Sequence, residues 1–275
     1  MVNLFNYIDR QSPVHKLTGA AKFALLILWM LAAMTTFCTP YLCALTVLAV
    51  LLFRLSKIRF RDVAVMIWLT LVFLALNNIL IYLFSPEHGV EIYGSRTLLF
   101  AGIGRYTVTA QQLLYHLNVV LKYTATIPIV LLFVATTNPS EFAASLNRLG
   151  VSYKISYSVA LALRYIPDTV REFHDISQSQ QARGIEMSRK ENMVKRLTNA
   201  AAIILPLILS GMDRIDVVTN AMELRGFGKN KTRTWYMGRK FSTGDILCIL
   251  LGILLVAVSL SYTLWNGGRY WNPFG

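Results

Sequence analysis

Long runs of apolar residues alternate with polar segments along this 275-residue chain. Runs of this kind are typical of helices that lie in a membrane, since a spanning helix needs about 20 mostly apolar residues. The pattern predicts five such helices, at 20–37, 41–54, 63–84, 118–137 and 246–265, the last within a final segment 245–275 that ends in an outer tail. The predicted fold class is therefore an all-α polytopic membrane protein.

The first two apolar segments are short for a bilayer. Lys22 and Arg54 bracket them, each sixteen positions from Cys38. At the helical rise of 1.5 Å per residue, each arm reaches about 24 Å, less than the roughly 30 Å of the hydrocarbon core. We interpret the pair as a helical hairpin whose tip stops in the far leaflet or locally thins the bilayer.

The segment 138–244 has a different pattern, in which apolar residues recur every three or four positions, as in amphipathic helices. A short helix is predicted to begin at Asn138-Pro139 and to end at Leu149-Gly150. Asn is a suitable N-cap, Pro suits the first helical position, and Gly suits the left-handed position after a helix. This segment is therefore predicted to be a domain of amphipathic helices between the membrane segments 1–137 and 245–275.

A longer amphipathic helix follows, and Pro167 within it predicts a kink. Its apolar stripe consists of Ile155, Val159, Leu163, Ile166, Pro167, Val170 and Phe173 and continues to Ile176. The apolar stretch 200–209 is too short to span a bilayer and is interpreted as a buried or interfacial helix. A third amphipathic helix passes through Ile215, Val218 and Met222.

Two of these helices have matching C-terminal ends. One ends in Ala182-Arg183-Gly184 and the other in Leu224-Arg225-Gly226, 42 residues further on, and each is followed by an apolar residue. Such an end has an ordinary structural explanation, because Gly stops helices and a basic residue in the last turn is favoured by the helix dipole. A pair of them also suits docking to a partner, because the Arg guanidinium binds carboxylates through two parallel hydrogen bonds.

Composition narrows the class of protein. Apolar residues make up 55% of the chain and charged residues 15%, whereas soluble domains contain about 25% charged residues. These values exclude a disordered chain, a collagen-like fibre and a small disulfide scaffold. A net charge of +13 would suit a nucleic-acid-binding protein, but such proteins do not usually carry several long apolar runs. The chain is therefore predicted to contact the lipid bilayer and not to bind nucleic acid.

The basic residues predict the orientation. The segments up to residue 22, 54–61 and 138–244 contain 23 of the 27 Lys and Arg residues. Because cytoplasmic segments carry the excess of Lys and Arg, the N-terminus and 138–244 are predicted to be cytoplasmic and the C-terminus to lie outside. The charged residues assigned to the outer side are Arg96, Arg105, Arg269, Glu87, Glu91 and Asp245.

Little in the sequence indicates catalysis or a bound cofactor. No G-x-x-x-x-G-K-[ST] motif for ATP is present, and the four histidines lack metal-ligand spacing. Lys122 lies four residues from the predicted outer edge of its span. Its charge either has a function within the membrane or reaches the membrane interface along the lysine side chain. Asn77 and Asn78 are predicted to make interhelical hydrogen bonds.

Several short motifs together resemble one known family. They are Ser12-Pro13-Val14-His15-Lys16-Leu17, Thr136-Thr137-Asn138-Pro139, Leu146-Asn147-Arg148-Leu149-Gly150, Arg164-Tyr165-Ile166-Pro167 with Glu172, and the two Arg-Gly ends. In this order the motifs resemble the transmembrane T component of energy-coupling factor (ECF) transporters, the EcfT/CbiQ family. Ser152 and Thr18-Gly19 depart from the family pattern, but neither lies in an Arg-Gly end.

The resemblance implies a coupling subunit in the cell membrane of a prokaryote, without catalytic activity. Its implied partners are two ABC-type ATPase subunits, which would hold ATP and Mg²⁺, and one membrane-embedded substrate-binding S component. No cofactor is implied for this chain. The implied ATPase-docking residues are Ala182, Arg183, Gly184, Leu224, Arg225 and Gly226. Uptake of a vitamin or a transition-metal ion would follow, with the S component selecting the substrate.

Two alternatives belong to other classes. A stand-alone secondary transporter or channel needs a binding site at the middle of the membrane and often has internal repeats, and the five predicted spans show no obvious repeat. A membrane enzyme acting on lipid needs clustered acids or histidines near the interface, whereas the acids of 138–244 alternate with basic residues.

Overall fold

The structure is a computed structural model. It describes residues 12–101, 106–185, 193–230, 234–235, 239 and 241–274. Within these ranges the chain forms ten helices and one two-stranded antiparallel sheet. The helices are α1 (Pro13–Lys16), α2 (Gly19–Thr35), α3 (Thr39–Leu55), α4 (Phe60–Phe84), α5 (His88–Tyr93), α6 (Ala110–Thr136), α7 (Pro139–Arg148), α8 (Tyr153–Ala182), α9 (Met193–Leu224) and α10 (Thr243–Trp265). The strands are β1 (Leu98–Phe100) and β2 (Val108–Thr109).

The chain divides into two compact units. The first, which we call the membrane unit, comprises Met1–Asn138 and Arg239–Gly275, and the second, the amphipathic unit, comprises Pro139–Gly238. Among the described residues, α4, α6 and α10 are long and apolar enough to cross a membrane, while α2 and α3 are apolar helices of 17 residues each. The prediction of an all-α polytopic membrane protein is confirmed.

The core of the membrane unit is built around Trp29. This side chain is fully buried, and its indole Nε1 donates to the carbonyl oxygen of Ala125 in α6 at 3.0 Å. A buried indole N–H needs such a partner. Around it, α2 packs along α10 and α3 packs along α6. The two short helices of the predicted hairpin are thus each held by a different long helix.

The helix α6 begins at Ala110, eight residues before the predicted start at 118. The added turns contain Gln111 and Gln112, which interrupt the apolar pattern but are buried and hydrogen-bonded, for example to the backbone N–H of Thr97 at 3.0 Å. Lys122 consequently lies twelve residues inside the helix and is only 7% exposed. Its ammonium donates to the carbonyl oxygen of Met34 at 3.3 Å and lies 3.3 Å from the ring centroid of Phe37, so it is enclosed by protein.

The connection between α4 and α6 contains structure that the apolar pattern did not predict. It holds the short helix α5 and the strands β1 and β2, which pair through Leu98 with Thr109 and Phe100 with Val108. An ion pair between Arg96 and Glu87, at 2.8 Å, lies in the same connection. Arg105 lies outside the described residues.

Hydrogen bonds also join α4 to α6. Asn78 Oδ1 lies 2.9 Å from Nδ1 of His116, and Gln112 Nε2 lies 3.1 Å from Nε2 of the same ring. Gln112 Oε1 accepts from the backbone N–H of Gly89 at 2.7 Å, so the amide nitrogen faces the ring as a donor. The ring then accepts at Nε2 and donates from Nδ1. The predicted interhelical hydrogen bond of Asn78 is confirmed.

Asp245 ties the start of α10 to the segment before α2. Its fully buried carboxylate accepts from the backbone N–H of Thr18 at 2.7 Å, from the Thr18 hydroxyl at 3.1 Å and from the backbone N–H of Ser242 at 2.7 Å. The sequence pattern placed Asp245 on the outer side, away from the N-terminal segment. That assignment is wrong, because Asp245 and Thr18 lie at the same end of the membrane unit.

The amphipathic unit consists of α7, α8 and α9. The helix α9 is continuous over 32 residues and includes Pro206, so the stretch 200–209 and the predicted third helix are one helix. The helix α8 likewise continues through Pro167 over 30 residues. A short turn joins α7 to α8, where Gly150 has a φ of +98° and the Val151 N–H donates to the Leu146 carbonyl oxygen.

Candidate functional site

The helices α8 and α9 lie side by side and run antiparallel. Near the end of α8, Gln180 Nε2 donates to the carbonyl oxygen of Ala202 in α9 at 3.4 Å. Near the start of α8, the ring of Tyr157 lies 5.0 Å from the ring of Phe227, just after α9. The C-terminal end of each helix therefore lies beside the N-terminal part of the other.

A polar cluster joins the two helices between these contacts. Glu172 of α8 accepts hydrogen bonds from the Ser210 hydroxyl and from Nη2 of Arg214, both in α9. The guanidinium of Arg214 also lies 5.8 Å from the ring centroid of Tyr165. The hydrogen bond from Ser210, together with the hydrogen bond and positive charge of Arg214, lowers the pKa of Glu172 against the opposing effect of partial burial. The carboxylate is thereby kept ionised.

The first Arg-Gly end closes α8. Ala182 is its last residue, Arg183 is the C-cap, and Gly184 has a φ of +85°. The backbone N–H of Ile185 donates to the carbonyl oxygen of Gln180 at 3.0 Å. This is a Schellman motif, in which the left-handed residue turns the chain back and satisfies the last carbonyls of the helix.

The second Arg-Gly end has the same geometry. Leu224 is the last residue of α9, Arg225 follows it, and Gly226 has a φ of +69°. The backbone N–H of Phe227 donates to the carbonyl oxygen of Met222 at 2.9 Å. The two ends are therefore equivalent in backbone as well as in sequence, and a side chain at either glycine would strain the turn.

The side chains of both ends are open to solvent. Ala182, Arg183 and Arg225 are exposed, and Leu224 is 90% exposed, which leaves an aliphatic side chain uncovered at the tip of its helix. Within the described part of the chain, neither arginine makes an ion pair. Both guanidiniums are thus without an acidic partner in that part of the chain.

An aromatic cluster fixes the second end. The ring of Phe227 packs on Tyr153 and Tyr157 of α8, with centroids 5.5 and 5.0 Å apart. Trp235 continues the cluster, 6.3 Å from Tyr157, and its Nε1 donates to Asn147 Oδ1 of α7 at 3.1 Å. Arg225 therefore projects from a turn that is anchored on both neighbouring helices.

The structure does not bring the two arginines together. The end of α9 lies beside Tyr153 and Tyr157, whereas Arg183 lies beyond the opposite end of the same helix. With about 1.5 Å per residue over the intervening part of α8, the two ends are roughly 40 Å apart. The two arginines therefore cannot belong to one small binding site.

The predicted apolar stripe of α8 is largely uncovered within the amphipathic unit. Ile155, Ile166 and Val170 are 58%, 53% and 48% exposed, and Pro167 is exposed as well. The other stripe residues, Val159, Leu163 and Phe173, are half-buried. A helix face with this much apolar surface is typical of one that contacts another protein or lipid.

Sequence reasoning missed the partners of Glu172 and the aromatic cluster. The sequence places Glu172 in a family motif and does not indicate its partners Ser210 and Arg214. A partial signal was present, since Tyr153 and Tyr157 lie four positions apart near the start of α8, and Phe227 and Trp235 follow α9. Among the described residues, no group of three or more His, Cys, Asp or Glu could hold a metal ion.

Comparison with known proteins gives a consistent family assignment. The sequence model of the CbiQ family, described as "Cobalt transport protein", matches residues 10–236. The energy-coupling factor transporter transmembrane protein EcfT of Staphylococcus aureus (strain 04-02981) is 26% identical over 280 residues, covering 95% of this chain and 96% of that protein. The protein of the same name from Brevibacillus brevis (strain 47) is 27% identical over 263 residues, covering 92% and 94%.

A third relative has a higher sequence identity over a shorter region. The EcfT protein of Clostridium kluyveri is 30% identical over 144 residues, half of this chain and 53% of that protein. The CbiQ match spans most of the chain and includes both Arg-Gly ends. It confirms the resemblance that the motifs indicate, and the chain belongs to the CbiQ family of membrane transport components.

Proposed function

We propose that this chain is the coupling subunit of an energy-coupling factor importer. In this role it joins two cytoplasmic ABC-type ATPase subunits to a membrane-embedded S component, which selects the vitamin or transition-metal ion to be taken up. The names of the relatives, each a transmembrane protein of an energy-coupling factor transporter, support the assignment. The family match also supports it, because the matched residues 10–236 include both Arg-Gly ends.

One observation carries the proposal: two equivalent, exposed Arg-Gly ends roughly 40 Å apart on one antiparallel helix pair. Each end has a C-cap arginine, a left-handed glycine and an uncovered residue before the arginine. Two equivalent ends suit two similar subunits. A stand-alone channel or secondary transporter has no use for such a pair in its amphipathic unit.

The arginine chemistry suits docking. A guanidinium forms two parallel hydrogen bonds with a carboxylate, which fixes direction as well as distance. Once such a pair is buried in an interface, removal of one partner leaves the other charge unpaired and is costly. Arg183 and Arg225 would each enter an acidic groove of one ATPase subunit, with Ala182 or Leu224 making the apolar contact beside it.

The polar cluster of Glu172 supports mechanical coupling between the two ends. It joins α8 and α9 by charged hydrogen bonds between their ends, so that each helix can act as a lever on the other. When ATP closes the ATPase pair, the docked ends would move relative to one another. The exposed stripe residues Ile155, Ile166 and Val170 would pass that motion to the S component.

The subunit would contribute no catalysis of its own. ATP and Mg²⁺ would bind to the partner ATPases, and this chain would hold no cofactor. Its location would be the cell membrane of a prokaryote, with the N-terminus and the amphipathic unit in the cytoplasm. The high density of Lys and Arg in the segments 54–61 and 138–244 supports this orientation.

The test is charge reversal at both ends in the assembled transporter. The double variant Arg183→Glu/Arg225→Glu should lose co-purification with the ATPase subunits and should lose ATP-dependent uptake. The matched control is Arg164→Glu/Arg171→Glu, which reverses two exposed arginines of the same helix pair away from its ends. The proposal fails if the double variant keeps both ATPase subunits and uptake, or if the control loses them equally.

A further inference from the structure

An open apolar groove lies between α3, α4 and α6 in the membrane unit. Its volume is about 370 Å³, within the range of small-molecule sites. The groove is lined by Thr46, Val50 and Phe53 of α3, by Phe60, Ile67, Thr70, Leu71 and Leu74 of α4, and by Thr124, Ile127, Pro128 and Leu131 of α6. We call it the α3–α4–α6 groove.

The wall of the groove offers no polar contact to an occupant. The three threonine hydroxyls in it, those of Thr46, Thr70 and Thr124, all donate to carbonyl oxygens of their own helices, at 2.8, 2.8 and 2.9 Å. Their hydroxyl hydrogens are therefore not available to an occupant. An occupant within it is therefore hydrocarbon, since a polar group there would lose its hydrogen bonds to water without replacement.

The groove is long enough to hold an acyl chain of one bilayer leaflet. Along α4 it extends from Phe60 to Leu74, which is about 21 Å of helix. Half of a typical hydrocarbon core is about 15 Å. At one end its wall is formed by Phe53 and Phe60, whose rings lie 5.4 Å apart. A single acyl chain fits this space along the helices.

Positive charge is concentrated at that end of the groove. The connection from α3 to α4 places Arg54 directly after Phe53, and Arg59 and Arg61 on either side of Phe60. All three arginines are exposed, and none makes an ion pair with another residue that the structure describes. The segment 54–62 carries four basic residues against one acid.

We propose that the α3–α4–α6 groove is a binding site for one anionic phospholipid. An acyl chain occupies the apolar groove, and the phosphate binds the guanidiniums of Arg54, Arg59 and Arg61 at its end. Basic clusters at the end of a membrane helix attract anionic headgroups, by about 1 kcal/mol for each charge near the surface. The groove holds the acyl chain as well, so that the lipid is bound at one defined position on the protein.

A lipid accounts for the groove better than a helix of a partner protein does. A helix packed against α4 is expected to find mostly small residues there, whereas eight of the twelve wall residues are Val, Ile, Leu or Phe. The exposed arginines at the end attract an anion, which a phospholipid headgroup supplies. The site is independent of the proposed docking ends, which lie in the other unit.

The test measures lipid retention by native mass spectrometry. The purified full chain, in detergent, is exposed to equimolar phosphatidylglycerol and phosphatidylcholine with identical acyl chains. The wild-type chain should retain one phosphatidylglycerol, with a preference of about tenfold or more over phosphatidylcholine. Glycerol phosphate, which lacks acyl chains, tests whether a phosphate group alone binds at the site. It should not compete with phosphatidylglycerol.

Two sets of variants separate the headgroup from the acyl chain. Arg54→Gln/Arg59→Gln/Arg61→Gln should abolish the preference, while Lys154→Gln/Arg164→Gln/Lys229→Gln, three exposed cations of the amphipathic unit, should keep it. Leu71→Trp fills the groove and should reduce retention of both lipids. Leu69→Trp makes the same change at a residue of α4 that is 55% exposed and lies outside the groove wall, and retention should be unchanged.

The proposal is overturned if the wild-type chain retains the two lipids equally, or if Leu71→Trp and Leu69→Trp behave alike in folded protein. A photo-crosslinker at position 71, used in membranes holding the assembled transporter, gives an independent result. Capture of phospholipid supports the proposal. Capture of a protein subunit shows that the groove is a protein interface and contradicts it. Neither outcome depends on whether Arg183 and Arg225 dock ATPases.

Discussion

The Glu172 carboxylate of α8 accepts a hydrogen bond from the Arg214 guanidinium of α9, with 2.5 Å between Oε2 and Nη2. The two side chains are only 21% and 33% exposed. They lie 42 positions apart in the sequence and between the ends of an antiparallel helix pair whose tips carry Arg183 and Arg225. This contact joins the two helices between their ends.

A double-mutant cycle should detect this contact as stability. Glu172→Gln and Arg214→Gln should each lower the free energy of unfolding by about 1 kcal/mol, because a charged hydrogen bond is lost at a half-buried site. The double variant should cost less than the sum of the two, which gives the coupling energy. Thermal unfolding of the purified chain in detergent measures all three.

The exposed ion pair of Arg171 with Asp168 is the control for that cycle. Its atoms are 3.7 Å apart, and its side chains are 78% and 48% exposed. Solvent screens such pairs, so Arg171→Gln should change stability by less than about 0.5 kcal/mol. Equal effects at Arg171 and Arg214 would mean that the Glu172 contact has no special role in joining α8 to α9.

The same contact predicts a pH dependence in the acidic range. The pKa of Glu172 is lowered in the folded chain, chiefly by the hydrogen bond from Ser210 and then by Arg214. Its stabilising effect is complete above the ordinary Glu pKa of about 4.3, and it is lost as the pH falls through the lower pKa of the folded state. Wild-type protein should lose more stability on acidification from pH 6 to 3 than Glu172→Gln. Parallel curves would contradict the assignment.

The left-handed glycines at the Arg-Gly ends should not tolerate side chains. Gly184→Ala and Gly226→Ala should each cost about 1–2 kcal/mol, because their φ angles of +85° and +69° are strained for residues with a Cβ. Hydrogen exchange at residues 183–185 and 225–227 should increase. Gly211→Ala is the matched control within α9, where a Cβ meets nothing within 4 Å. There alanine should stabilise the helix by about 0.5–1 kcal/mol.

The buried carboxylate of Asp245 should be needed for the membrane unit. In Asp245→Asn one oxygen is replaced by an NH₂ group, so that at least one of the N–H donors of Thr18 and Ser242 loses its acceptor. The expected loss is about 1–3 kcal/mol. Asp216→Asn, at an exposed residue of α9, should change stability by less than about 0.5 kcal/mol. If both variants unfold alike, Asp245 does not tie α10 to the segment before α2.

Local patterns predict much of this fold. The apolar runs identify α2, α3, α4 and α10 to within about three residues, because hydrophobic length is a property of the segment itself. The helix start at Asn138-Pro139 is also a local signal. So are the three helix ends at Gly150, Gly184 and Gly226, and these glycines have the expected left-handed geometry. The two Arg-Gly ends could be found in the sequence for the same reason.

Features that depend on distant partners could not be predicted in this way. The start of α6 was missed because Gln111 and Gln112 appear as polar interruptions until their buried hydrogen bonds are known. The apolar stretch 200–209 and the third amphipathic helix are separate in the sequence pattern, yet α9 runs through both. The bond of Glu172 to Arg214, and the placement of the two arginine ends at opposite ends of one pair, follow from antiparallel packing that no single segment encodes.

The most direct test of the account is the number of ATPase subunits that each single charge reversal retains. The assembled wild-type complex should hold two ATPase subunits for each chain, measured by native mass spectrometry. Arg183→Glu and Arg225→Glu should each hold one, at the end left intact, and the double variant should hold none. Two subunits retained by either single variant, with ATP-dependent uptake unchanged, would contradict the claim that the two Arg-Gly ends are separate docking points.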